Sequence, residues 1–363
     1  MKKIVILYPA HYEQIMGGAE MQIKYFMQAC RQLGHEVHYI YEDKGKVIKN
    51  EEGIILHPMS KIPKIKFCGK VWFLYKKGIN KFLNEIKPDV IYTRLASSWI
   101  YFAAKYAEKQ QINHLHCVAS DKSLELTLNI FSYPICSLIE NYYINKGLRK
   151  ATNIVVQNKC QHFMLQKRFN RIGIKINQMT EIFDATRLVK NDNVLTIVWI
   201  ANFKKIKQPE LFVELAQKLS SYSSQIRMVM CGRFVAGYES LLKKINSIEY
   251  LEYRGELKQE EVFDLLKESD ILVNTSEFEG FSNTFVQAWM RKNIVFSLNS
   301  NPDDILTNYN VGYLLPSIDL MKDKIIEILA DRENLHSMQN EAYSYVMQNH
   351  SIDNCMFKFE ELL

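Results

Sequence analysis

Short apolar runs, each followed by a polar loop and then by apolar positions spaced three and four apart, recur along the chain. Ile4-Val5-Ile6-Leu7 reads as a buried strand of the parallel type. A loop, His11 to Met16, leads to Gly17-Gly18-Ala19-Glu20. From there Met21, Tyr25, Phe26, Ala29 and Leu33 fall on one helical face, and Gly34 suits the left-handed residue that commonly ends a helix. Glu36 to Ile40 is the next strand. The same alternation predicts a strand at Asp89 to Tyr92, a helix at Ser97 to Ala107, a strand at Ile112 to Val118, a helix at Leu138 to Leu148 and a strand at Asn153 to Val156. Thr180 to Asn193 lacks periodicity and reads as a linker. A second block then begins with a strand at Val194 to Ile200 and a helix at Glu210 to Leu219, whose first turn suits Pro209. Further strands follow at Ile226 to Met230, Ile248 to Tyr253, Asp270 to Asn274, Ile294 to Phe296 and Gly312 to Leu315, with helices from Asp319 onward. Two blocks of alternating strands and helices predict an α/β protein of two doubly wound, Rossmann-like domains facing a central cleft. The length of 363 residues, long for a single core, agrees.

Composition narrows the class. The chain is 47% hydrophobic and 24% charged, as soluble globular proteins are. A net charge of +6 is compatible with an anionic partner without naming one. The seven cysteines show no CxxC pair and no metal-ligand spacing, so they are expected to be reduced thiols of a cytoplasmic protein. Lys2 and Lys3 precede only Ile4 to Tyr8, which suits a first strand rather than a signal peptide. The longest uncharged stretch, Leu126 to Ile139, is too short to span a bilayer. Lys61 to Asn84 carries seven lysines and no acidic residue, with Trp72, Phe73, Tyr75 and Phe82 interleaved. Such a segment suits the inner face of an anionic membrane, or it is a solvated helix whose apolar face packs on its own sheet. No recognised nucleic-acid module surrounds it.

The candidate chemistry centres on Ser276 to Met290. An apolar strand, Asp270 to Asn274, opens into a loop with Glu277, Glu279, Gly280, Ser282 and Asn283, and Phe285, Val286, Trp289 and Met290 then take helical spacing from Thr284 onward. Loops at the carboxyl ends of strands are where open α/β sheets bind ligands, and a helix N-terminus there favours a phosphate. Adjacent glycines such as Gly17 and Gly18 likewise allow a backbone to approach a diphosphate, although such a pair is also an ordinary turn. No GxxxxGK[ST] loop or GxGxxG fingerprint is present.

Glu279-Gly280-Phe281, with Gln287 eight positions after the glutamate, resembles the signature of the retaining glycosyltransferases of family four, which have the GT-B fold. That family carries a second acidic residue where this chain has Gln287. Gly17-Gly18-Ala19-Glu20 and the segment Gly34 to His38 are similar to its first strand–helix unit. Lys207 matches its loop lysine, whereas Asn202 stands where the family has an arginine and Lys204 could supply that charge. Ser120-Asp121 stands where many members have His-Asp, and His114 and His116 read as packing or lining residues. The resemblance implies domains at 1–185 and 194–340, with 341–363 crossing back to the first. It implies transfer of a sugar, with retention, from a nucleotide-diphosphate sugar to a saccharide or lipid-linked acceptor hydroxyl in bacterial surface polysaccharide synthesis. Glu279, Lys207 and Asp121 would be catalytic. Gly17, Gly18, Lys204, Gly232, Arg233, Gly280, Phe281, Ser282, Asn283, Thr284 and Gln287 would hold the donor, and neither metal nor cofactor would be required. A nucleotide-sugar epimerase on the same fold, and a non-catalytic partner that has lost turnover, are the alternatives.

Overall fold

The computed structural model describes residues 1–15, 17–50, 53–63, 71–125, 134–185, 188, 190 and 193–363. They form two units: Met1–Met179 with Ile352–Leu363, and Thr180–Ser351. In the first unit the strands are β1 (Lys3–Leu7), β2 (Glu36–Glu42), β3 (Ile55–Met59), β4 (Val90–Thr93), β5 (Asn113–Cys117), β6 (Asn153–Val156) and β7 (Ile174–Lys175). They form one parallel sheet in the order β3-β2-β1-β4-β5-β6-β7. The second unit contains β8 (Leu195–Ile200), β9 (Ile226–Cys231), β10 (Leu251–Tyr253), β11 (Ile271–Asn274), β12 (Ile294–Ser297) and β13 (Gly312–Leu314), again parallel, in the order β10-β9-β8-β11-β12-β13. Each unit is doubly wound. The strand order reverses between β1 and β4 in one, and between β8 and β11 in the other.

Continuous apolar runs are what a sheet covered on both faces requires. Ile4 and Ile6 of β1 join a core with Phe26 of helix Gly18–Gln32, while Val5 and Leu7 join another with Ile79 of helix Lys76–Ile86 and Phe102 of helix Trp99–Gln110. In the second unit Leu195, Ile197 and Trp199 of β8 face one core and Val198 faces the other.

The ends of the units differ from the boundaries expected at 185, 194 and 340. Helix Arg332–His350 places Ala342, Tyr345 and Val346 against Trp289, so residues to Ser351 belong to the second unit. Helix Ile352–Glu360 packs Cys355, Met356 and Phe359 into the core of the first, with the Phe359 ring 5.1 Å from Phe26. The two crossings lie side by side, Thr180 pairing with Ser351 and its N–H donating to His350 O at 2.9 Å.

Two further features depart from the expected pattern. Strand β3 was not anticipated, because Ile55–Met59 is half exposed and contains His57 and Pro58. Within Lys61 to Asn84, residues 64–70 lie outside the described residues. In the remainder Tyr75, Ile79 and Leu83 are buried, and Trp72, Phe73 and Phe82 pack against the same core. Lys76, Lys77, Lys81, Asn84 and Glu85 of helix Lys76–Ile86 stay exposed. Its aromatics therefore serve the fold. No helix among the described residues is long and apolar enough to cross a membrane.

Gly232, just beyond β9, has φ +140°, and a Cβ there would lie 1.7 Å from Ala201 O at the end of β8. Gly237 has φ +99° with nothing within 4 Å of such a Cβ. Gly232→Ala combines backbone strain with a clash and is expected to destabilise by about 3 kcal/mol or more, against about 1–2 kcal/mol for Gly237→Ala, which carries strain alone. Urea unfolding of the two variants checks the difference. Equal losses would mean that the β8 edge yields to the added methyl.

Candidate active site

The reversal between β8 and β11 brings together two loops that are distant in sequence. Lys207 lies on the loop after β8 and Glu279 on the loop after β11, 72 positions later, and Lys207 Nζ donates to Glu279 Oε1. Both side chains are partly buried, at 25% and 17% exposure, so the pair is neither dry nor freely solvated. Ser276 Oγ donates to the same carboxylate oxygen at 3.2 Å.

Backbone and hydroxyl bonds hold the two loops in register. Glu277 N–H donates to Ile206 O at 2.9 Å. Thr275 Oγ1 donates to Lys207 O at 2.7 Å and accepts from Trp199 Nε1 at 2.9 Å. Trp199 is fully buried on β8, so its indole N–H needs a partner, and the loop after β11 supplies it. Ser300 Oγ donates to Glu279 O at 3.1 Å, and Asn299 Nδ2 to Ser276 O at 3.1 Å, tying in the end of β12. Ser276, Ser300 and Asn299 were missed as site residues. Their signal was positional: short polar residues directly after apolar parallel strands.

Helix Asn283–Trp289 begins beyond this pair. Ser282 is its N-cap, in an extended conformation, with its Oγ 2.7 Å from Thr284 Oγ1. Phe285, Val286 and Trp289 are buried and fix the helix against the core. Phe281 is buried as well, its ring 5.2 Å from that of His350, so it packs inward. Gly280 is half-buried. Gln287 is 6% exposed, and its side-chain amide makes no hydrogen bond with the described residues.

Around the same sheet edge, Asn202 Oδ1 accepts from the Arg233 backbone N–H at 2.9 Å, and Gly232 N–H donates to Gly255 O at 2.8 Å. The Lys204 and Arg233 side chains are exposed and without an ion pair among the described residues. Asn202, at the position where the resemblance calls for an arginine, thus acts as a tie between loops.

Gly17, Gly18 and Asp121 lie in the other unit. Gly17 is the extended N-cap of helix Gly18–Gln32, with φ −151°, and both glycines are exposed. Asp121 is buried at the start of a single helical turn, where its Oδ1 accepts from Gln161 Nε2 at 2.9 Å and Asn158 Nδ2 at 3.2 Å. His114 and His116 are buried and share Thr93 Oγ1 at 2.8 and 2.9 Å. Burial lowers both imidazoles, His114 well below its ordinary value and His116, beside Arg94, to about 3, so both are neutral packing residues. Among the described residues no group of three or more His, Cys, Asp or Glu side chains is placed to hold a metal ion.

Two family models match. That for glycosyl transferases group 1 covers residues 180–345, the unit with Lys207 and Glu279, and that for Glycosyltransferase Family 4 covers residues 16–163. The chain is a glycosyltransferase of the GT-B type. Solved structures similar to this glycosyltransferase over nearly its whole length include HepE of Anabaena in complex with UDP and glucose, at 15% identity and a TM-score of 0.73, covering 99% of each chain. The sucrose-phosphate synthase of Thermosynechococcus elongatus has 14% identity and a TM-score of 0.76, covering 99% of this chain and 98% of its own. WaaG, described as a glycosyltransferase involved in lipopolysaccharide biosynthesis, has 12% identity and a TM-score of 0.73, covering 99% of each. No curated protein matches the chain at the sequence level.

A partly solvated pair such as Lys207 and Glu279 contributes little to folding. Lys207→Met and Glu279→Gln in the glycosyltransferase are expected to change its unfolding free energy by about 1 kcal/mol or less. Chemical denaturation measures this. A loss of several kcal/mol would make the pair a structural clasp.

Proposed function

We propose that this protein is a retaining glycosyltransferase that moves a sugar from a nucleotide-diphosphate sugar to a hydroxyl of a saccharide or lipid-linked acceptor. The observation that carries the reading is the Lys207–Glu279 pair at the β8/β11 reversal, ahead of helix Asn283–Trp289. A departing diphosphate develops charge that a preorganised cation and helix-terminal N–H groups stabilise. Lys207, with Lys204 from the same loop, supplies the cation, and the amides of Asn283 and Thr284 supply the donors. When the diphosphate arrives it takes over Lys207, and Glu279 is released to accept hydrogen bonds from the sugar hydroxyls. The amide of Gln287 accepts from one ribose hydroxyl and donates to the other, a neutral version of carboxylate binding. Gly232 and Arg233, after β9, border the nucleotide. Asp121 carries no step in this reading, because two buried amides hold its Oδ1. The cations do the work that a metal ion does in other transferases, so no metal is required.

The UDP complex of HepE makes UDP-linked sugars the first donors to test, and the description of WaaG supports a role in surface polysaccharide assembly. The deciding experiment is calorimetric titration with UDP sugars, followed by mass spectrometry of the product. Lys207→Ala is expected to raise the barrier by about 2–4 kcal/mol, roughly a hundredfold or more in turnover. Glu279→Ala should likewise reduce turnover. Gln287→Ala should weaken donor binding several-fold to about tenfold, on the order of 1 kcal/mol per lost bond, with less effect on the chemical step. Normal turnover in Lys207→Ala would remove the lysine from the site. Gln287 also favours a second reading, a GT-B protein that keeps the fold without turnover. In that case donor hydrolysis would be absent in the native chain.

Contact with an anionic membrane through 61–84 is proposed as purely electrostatic, since the described aromatics of that segment pack inward. Each lysine contributes about 1 kcal/mol at most, and salt screens it. Binding to phosphatidylserine vesicles should fall steeply with salt and be absent on neutral vesicles. Equal binding to both would refute the contact.

A further inference from the structure

The first unit has its own reversal, between β1 and β4, and the cation there is held quite differently from Lys207. Arg94 directly follows β4 and is 4% exposed. Its Nη1 donates to Tyr92 Oη at 3.1 Å. Its Nε is buried with no partner, and Nη2 makes no hydrogen bond with the described residues. No carboxylate among them stands at ion-pair distance. Glu20, the acid on the neighbouring turn, bonds to Tyr8 Oη at 2.7 Å instead.

The other groups around Arg94 bring no negative charge. Burial raises the phenols of Tyr8 and Tyr92 far above their ordinary range, and raises the Cys117 thiol to about 11. His116 is neutral. An arginine stays protonated in such surroundings, so a full charge sits out of water with a single neutral partner among the described residues. The unpartnered Nε–Nη2 edge presents two parallel N–H donors, the geometry that grips one oxyanion at two points. The exposed Gly17 and Gly18, at the N-terminus of the 15-residue helix after β1, stand at the same reversal.

We propose that Arg94 receives an anionic group, a phosphate or a carboxylate, carried by the acceptor saccharide. The inference rests on the glycosyltransferase reading, which assigns the donor to the β8/β11 crevice and leaves the β1/β4 crevice to the acceptor. A neutral acceptor would leave the arginine uncompensated throughout turnover.

The test is calorimetric titration of the full chain, saturated with UDP, by glucose 1-phosphate, glucuronate and glucose. One anionic sugar is expected to bind at least about tenfold more tightly than glucose, and the one that does distinguishes phosphate from carboxylate. Arg94→Met should reduce that affinity to the level of glucose, and Arg94→Lys should retain part of it. Equal affinity for all three sugars, or unchanged anion affinity in folded Arg94→Met, would overturn the proposal. So would loss of UDP binding in folded Arg94→Met, which would assign the charge to the donor. Should Arg94→Met fail to fold, the comparison of the three sugars on the native chain decides. A native chain that binds neither UDP nor a UDP sugar fails the glycosyltransferase reading instead. The three sugars titrated without UDP then still test Arg94.

Discussion

Parallel pairing is the constraint from which the rest follows. A strand can pair in parallel with its predecessor only if the chain returns along a crossover, and here helices supply most of those returns and cover both sheet faces. Every strand then ends at the same edge, and every strand-to-helix loop collects there. Where the strand order reverses, the crossover connections leave towards opposite faces of the sheet and the strand-end loops border a crevice. Lys207 and Glu279 occupy one such crevice, and Arg94 follows a strand at the other. The core positions of β1 and β8 are thus what place charged groups at the sheet edges.

The two crevices treat charge in opposite ways. At β8/β11 the lysine has a carboxylate partner, a serine hydroxyl supports that carboxylate, and both side chains keep some contact with water. At β1/β4 the arginine is nearly dry and its surroundings are neutral. A paired, partly wet cation can exchange its partner readily. An unpaired, buried cation favours an incoming anion more strongly, because little solvation remains to be lost.

Strands whose two faces are both buried were legible as apolar runs, and β1, β4, β8, β9 and β11 lie where those runs do. Strand β3 was not, because His57 and Pro58 break the run and the strand stays half exposed at the sheet's edge. Among site residues, Glu279 and Lys207 stood out by their resemblance to a family motif, but nothing local showed that they touch, since that contact spans 72 positions. Phe281 stood in the motif beside them and yet packs on His350, because an aromatic ring next to a helix start is as useful to a core as to a ligand. The described aromatics of the basic segment, Trp72, Phe73, Tyr75 and Phe82, likewise pack on a core. Arg94 was invisible as a charged group of interest, because its isolation depends on Tyr92, Tyr8 and Cys117 from other positions on the sheet.

The return of Ile352–Glu360 to the first unit has a consequence for biosynthesis. Phe26 is translated early, while Phe359, the ring it packs against, follows the whole of the second unit. On the ribosome the first sheet can form while its helical cover is still missing one piece, and apolar surface on helix Gly18–Gln32 stays open until Cys355, Met356 and Phe359 emerge. The second unit, contiguous from Thr180 to Ser351, has all its parts before that. The unit that begins first is therefore completed last, and through that interval its unfinished face is available to chaperones or to misassociation.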